Sequence, residues 1–164
     1  MRHHLHAHPE LSYAEFETSK FVQNKLAAFN IPFEVLATTG VVGIIEGKNP
    51  SKKIIALRAD MDALPIKEEN EIAYKSTIEG VMHACGHDVH TTIHLGVVKL
   101  FKEMEDELEG NVKIFFQPAE EKAPGGASIM IQEGALQNPT PASIYGQHVA
   151  TNVPVGKIGF RDRK

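Results

Sequence analysis

Residues 52–60 read KKIIALRAD, and this stretch decides the fold. The run Ile54 to Leu57 is apolar without alternation, the pattern of a strand buried on both faces, and Ile114 to Phe116 in NVKIFFQP (111–118) repeats it. Working outward, FEVLAT (33–38), VVGIIEG (41–47) and ASIYGQHV (142–149) read as further strands, punctuated by Gly40 and the turn-rich GKNPS. Helical patterns lie between them. SYAEFETSKFVQNKLAAF (12–29) sets Phe16, Phe21, Val22, Leu26 and Phe29 near helical spacing, with Ser12 as expected N-cap, Glu15 as its capping-box partner, and Asn30 and Pro32 ending the helix. A second helix is expected from about Asp88 to Met104 and a short one within GGASIMIQEGAL (125–136). Strands separated by helices of this length predict an α/β layered sheet with crossovers.

Composition narrows the function classes. A chain of 164 residues, 42% hydrophobic, is long enough for one domain with a substantial core and short for two, so residues 1–164 are read as one unit. With 17 basic and 21 acidic side chains the formal net charge is -4, which gives no field favouring nucleic acid or an anionic membrane; the expected partner is a small molecule or a protein. A single cysteine cannot form an internal disulfide, and MRHHLHAHPE lacks the apolar run of a signal peptide, so the expected compartment is the cytoplasm. No stretch approaches the roughly 18 apolar residues that span a bilayer.

Ligand-type side chains collect at the strand ends. Asp60 and Asp62 follow IIALR, Glu120 and Glu121 follow IFFQPA, and His148 closes SIYGQ. Open α/β sheets bind ligands outside the carboxyl ends of their strands, so three strands are expected to deliver acids and a histidine to one place. VMHACGHDVHTTIHL (81–95) adds four histidines and the lone Cys85 at the mouth of a helix. Taken singly, a Glu pair reads as a solvated surface feature and a lone cysteine as a small core residue. Beside Gly86 and histidines, Cys85 and His87 read as metal ligands. His90 and His94 share the face of His87, beside an expected apolar stripe of Val89, Ile93, Val97 and Leu100, and read with His83 as supporting or packing groups. His3, His4, His6 and His8 form a tract of metal-binding composition, but the Pro-Glu-Leu-Ser that follows reads as a lead-in to a helix cap.

HAHPELSYAE (6–15), LRADMDALPI (57–66), MHACGHDVHTT (82–92), FQPAEE (116–121), GGASIMIQEGAL (125–136) and GQHV (146–149) together resemble the metal-dependent amidohydrolases of the aminoacylase, hippurate hydrolase and IAA-amino acid hydrolase type, relatives of the di-zinc exopeptidases. The motifs occur in family order across nearly the whole chain, and the CGHD and PAEE segments are the specific ones. The resemblance implies a three-layer α/β/α mixed sheet of the zinc-exopeptidase type. It implies metal ligands at Cys85, His87, Glu121 and His148, a catalytic carboxylate at Glu120, and an orienting Asp62, the residue that with Asp60 occupies the family's His-x-Asp segment. It implies two divalent ions, zinc or manganese, with cobalt or nickel also suited to a mixed thiolate, imidazole and carboxylate set. The implied reaction is hydrolysis of the amide bond of N-acyl amino acids, with Glu120 taking a proton as general base and returning it as general acid.

After GKIGF (156–160), family members continue into a lid domain that mediates dimerisation and then supply a last metal-binding histidine. The chain is accordingly expected to represent the N-terminal part of a catalytic domain, incomplete and without the lid, whose activity needs the C-terminal portion. A catalytically inactive metal-binding or partner-binding remnant is the alternative. A thiol hydrolase using Cys85 is a third reading, weakened because metal ligands surround the thiol and no oxyanion loop is evident.

Overall fold

In the computed structural model, which describes residues 1–160, the elements follow in the order α1 (Arg2–Ala7), α2 (Phe16–Ala28), β1 (Phe33–Leu36), β2 (Gly40–Ile45), β3 (Ile55–Asp60), α3 (His87–Glu103), β4 (Val112–Gln117), α4 (Gly126–Gln132) and β5 (Ser143–Gly146). The five strands form one mixed sheet in the order β1-β2-β4-β3-β5. β2 runs antiparallel to both β1 and β4, while β3, β4 and β5 are parallel. All six residues of β4 are buried, as its unbroken apolar run requires at the centre of a sheet covered on both faces.

Alternation along the strands sorts the core into two layers. Ile114 and Phe116 point with Val41 and Ile45 toward Val22 and Leu26 of α2 and Leu95 and Val98 of α3. Phe115, Val42 and Ala56 point the other way, toward Met130 of α4 and Ala135. The result is the expected α/β/α sandwich. Among the described residues no helix is long and apolar enough to cross a membrane.

Two local expectations are overturned. Ser12 and Glu15 do not form a capping box: α2 begins at Phe16, the Ser12 hydroxyl donates to Asp62, and the Glu15 side chain turns inward. Glu10 caps the helix instead, its carboxylate accepting from the Glu17 and Thr18 N–H groups at 3.1 and 2.8 Å. At the other end Asn30 adopts φ 57°, and its N–H and that of Ile31 return to the carbonyls of Ala27 and Leu26, so the helix closes in a left-handed turn. The second correction concerns α3, whose buried face carries His87, His90, Thr91, His94, Leu95 and Val98. Ile93 and Leu100 of the expected apolar stripe are exposed, because the histidine face packs on β3 and β4.

His94 belongs to this packing. Its ring lies edge-on to Phe116, and burial pushes its pKa down to about 3 from 6.5. The folded state therefore holds it neutral while the unfolded chain protonates it, so stability falls as pH drops from about 6.5 toward 3, by up to about 1.4 kcal/mol per pH unit. Urea unfolding of a His94→Leu variant between pH 7 and pH 4.5 is expected to show a shallower loss than the parent by about that slope.

Candidate metal centre

Parallel register brings the site together. Asp60 of β3 pairs with Gln117 of β4, so Asp60 to Asp62 and Pro118 to Glu121 leave the sheet at one level. Arg58 pairs with Gly146 of β5, which puts His148 two residues beyond, beside Asp60. The fourth segment arrives from the loop before α3. Gly86 there adopts φ 94°, and a Cβ on it would lie 2.5 Å from Val149, so only glycine lets Cys85 and His87 approach the β5 loop this closely.

The side chains expected as metal ligands converge. Cys85, His87 and His148 offer ligand atoms within 4.8 Å of one another, and so do His87, Glu120 and Glu121. His87 is the common member. It is fully buried, and neither ring nitrogen has a hydrogen-bond partner. Its Nε2 stands 3.7 Å from Asp60 and 3.8 Å from Glu121, and its Nδ1 3.4 Å from Asp62, which is long for a hydrogen bond. A buried imidazole ringed by three carboxylates without a close partner, with a thiol and a second imidazole alongside, is a donor set that fits a divalent cation.

Neighbouring groups set the chemistry of each donor. His148 donates from Nδ1 to the Val149 carbonyl at 2.6 Å, because a carbonyl can only accept; this leaves Nε2 bare and 3.3 Å from the Cys85 sulfur. Burial, reinforced by the carboxylates of Glu121, Asp60 and Glu120, pushes the Cys85 thiol up to about 12, so with no cation present it stays protonated. Burial opposes charge on His87, but Asp62, Asp60 and Glu121 outweigh it and raise its pKa. Asp62 is moved the other way: burial raises it, yet His87, the Ser12 hydroxyl and the Glu121 and Glu120 N–H groups hold it down to about 2.

Asp62 and His90 organise the cluster without closing on its centre. Asp62 accepts the Glu120 and Glu121 backbone N–H groups, each at 3.0 Å, as well as the Ser12 hydroxyl at 2.6 Å. His90 spends both nitrogens, Nδ1 on Asp60 at 2.6 Å and Nε2 accepting the Val149 N–H at 2.9 Å, which pins the turn carrying His148. Asp60, His87 and His90 also lie within metal-binding distance of one another, but these bonds occupy His90. The Asp60 oxygen that bonds His90 also stands 3.7 Å from His87 Nε2.

Sequence reasoning missed a neighbouring buried network. His6 of α1 lies between Asp88 at 2.8 Å and Glu68 at 3.0 Å, with Arg2 also on Asp88. The rest of the N-terminal histidine tract disperses: His3 stacks on Tyr74, and His4 stacks on Phe21 and accepts His8 at its carbonyl. His83 is buried with both nitrogens unpartnered, its pKa lowered to about 4 by burial. Nothing local in HHLHAH (3–8) singles out His6 as the inward-pointing histidine.

Residues 56–162 match Peptidase family M20/M25/M40. The chain belongs to this family. It is 41% identical to the Bacillus subtilis YXEP protein, described as a dinuclear metal binding peptidase from the M20 family; the two superpose with a TM-score of 0.92 over 99% of this chain and 45% of that one. It is 45% identical to a probable hydrolase of Synechocystis sp., over 98% of this chain and 40% of the relative. To the Arabidopsis thaliana IAA-amino acid hydrolase ILR1-like 5 it is also 45% identical, over 99% of this chain and 36% of the relative. The M20 chain therefore spans about two fifths of the length of these relatives.

Proposed function

We propose that this M20 chain is part of a single catalytic domain, residues 1–164, that hydrolyses the amide bond of N-acyl amino acids. Cys85, His87, Glu121 and His148 hold a divalent cation, zinc or manganese by preference with cobalt or nickel tolerated. A second ion and a lid that mediates dimerisation belong to the remainder of the fold, as the family resemblance implies. The observation that carries this reading is the convergence of Cys85, His87, Glu120, Glu121 and His148 around one orphaned buried imidazole. Similarity to an N-acetyldiaminopimelate deacetylase of Limosilactobacillus reuteri, at 40% identity, supports amide cleavage rather than another hydrolysis.

The adjacent glutamates divide the work. Bound at the cluster, the cation supplies a Lewis acid that polarises a carbonyl and makes water acidic enough to react near neutral pH. Glu120, at the exposed lip beside His87, takes the proton of the attacking water as the new C–O bond forms. It then returns that proton to the amine nitrogen as the C–N bond breaks, so a carboxylic acid and a free amino acid leave. Glu121 and His87 stay on the cation side, and Asp62 fixes the backbone from which both glutamates project. The thiol-nucleophile reading is disfavoured, since burial and the carboxylates around Cys85 hold its thiol protonated.

The test is hydrolysis of N-acetyl and N-benzoyl amino acids with added Zn²⁺ or Mn²⁺, in this chain and in one extended by the portion the relatives carry. Turnover by the extended chain that disappears on chelation and returns with metal is the expected result. Metal uptake with no turnover in either form would establish the inactive, metal-binding remnant instead, and turnover that survives chelation would revive the cysteine.

A further inference from the structure

The HPELSYAE segment carries no role in the reaction, yet it ends on a fully buried carboxylate. Glu15 is 0% exposed, at the residue before α2, and faces Thr39 ahead of β2 and Ala119 beyond β4. All its partners are donors: Oε1 accepts the Ala119 N–H at 2.7 Å and the Tyr13 N–H at 3.1 Å, and Oε2 accepts the Thr39 hydroxyl at 2.8 Å. Ala119 directly precedes Glu120 and holds φ 48°, a left-handed conformation that a residue with a Cβ rarely adopts unless its surroundings impose it.

The same segment grips the turn from its other side. The Ser12 hydroxyl donates to Asp62, which receives the next two N–H groups, of Glu120 and Glu121. The Tyr13 hydroxyl donates to the Lys122 carbonyl at 3.1 Å and accepts the Gly125 N–H at 3.0 Å. Three consecutive N–H groups, at 119, 120 and 121, thus end on two buried carboxylates. We propose that Glu15 is a positioning residue: through the Ala119 N–H it locks the left-handed turn that aims Glu120 and Glu121 at the cluster, and it does so by the reach of its oxygen rather than by its charge. The proposal rests on the metal-centre reading for its functional consequence but not for its geometry.

Two substitutions separate reach from charge. Glu15→Gln keeps an oxygen at full length for Ala119 and Tyr13 and can turn its amide toward the Thr39 oxygen, whereas Glu15→Asp keeps the charge and withdraws the oxygen by one methylene. Amide hydrogen exchange by NMR and Zn²⁺ titration against a competing chelator are measured on the 164-residue chain. The Gln variant is expected to match the parent in both. In the Asp variant the Ala119 amide is expected to exchange about tenfold faster or more while β2 and α3 stay protected, and Zn²⁺ affinity is expected to fall about tenfold to a hundredfold. Undiminished Ala119 protection in the Asp variant overturns the proposal, as does Zn²⁺ affinity unchanged despite an opened turn. Loss in Gln with retention in Asp does so too, since charge would then be the operative property. A parent chain that takes up no Zn²⁺ but shows the expected exchange pattern sinks the metal reading and supports the lock.

Discussion

Glu120→Gln in a turnover-competent form is expected to lower kcat by about 10²–10⁴-fold while leaving metal uptake and the unfolding midpoint unchanged. The amide keeps the shape of the carboxylate and its place at the lip beside His87 but cannot accept a proton from water near neutral pH. The neighbouring Glu121→Gln separates the two roles: it weakens metal binding first, because Glu121 is the carboxylate whose oxygen stands 3.8 Å from His87 Nε2. Steady-state kinetics at saturating metal, paired with a metal titration of each variant, check the division. Equal loss of metal from both variants, or turnover indifferent to Glu120→Gln, would remove Glu120 from its role.

Asp62→Ala is expected to have the larger effect on folding. It strips the acceptor from the Glu120 and Glu121 N–H groups and from Ser12 at once. Removing one shared partner from several buried donors is expected to cost about 2–4 kcal/mol and to weaken metal binding about tenfold to a hundredfold. Asp62→Asn retains one accepting oxygen of two and should fall between. The sign of the pH effect is fixed, since Asp62 is held at about 2, below its ordinary 3.8. Its contribution is present above pH 3.8 and is lost as pH falls toward 2, on the order of 2 kcal/mol for the metal-free chain. Chemical denaturation at pH 6 and pH 3 should show the parent losing about 1 kcal/mol more than the Ala variant, roughly half of that increment, with the loss due to His94 common to both.

What was legible in the sequence follows from what is local. The unbroken apolar runs of β3 and β4 announced central strands, and the polar residues after them announced a strand-end site, because both signals lie in adjacent residues. Ser12 and Glu15 were misread because the S-x-x-E spacing of a capping box is the same whether its carboxylate reaches back to the helix or inward to Ala119, a partner 104 residues away. The buried side of α3 was misread because hydrophobicity alone ranks Ile93 above His90, whereas Asp60 and the Val149 N–H satisfy both nitrogens of His90 inside the fold. His6 escaped notice because its partners, Asp88 and Glu68, lie in distant segments.

The place of β4 between β2 and β3 bears on how the chain is made. Ribosomal synthesis delivers β2 and β3 first, yet neither pairs with the other; each hydrogen-bonds to β4, which ends only at Gln117. Until that residue has emerged, two apolar strands present unsatisfied edges to the surrounding medium, a state open to mispairing with other nascent chains. A chain interrupted anywhere before Gln117 inherits that hazard permanently.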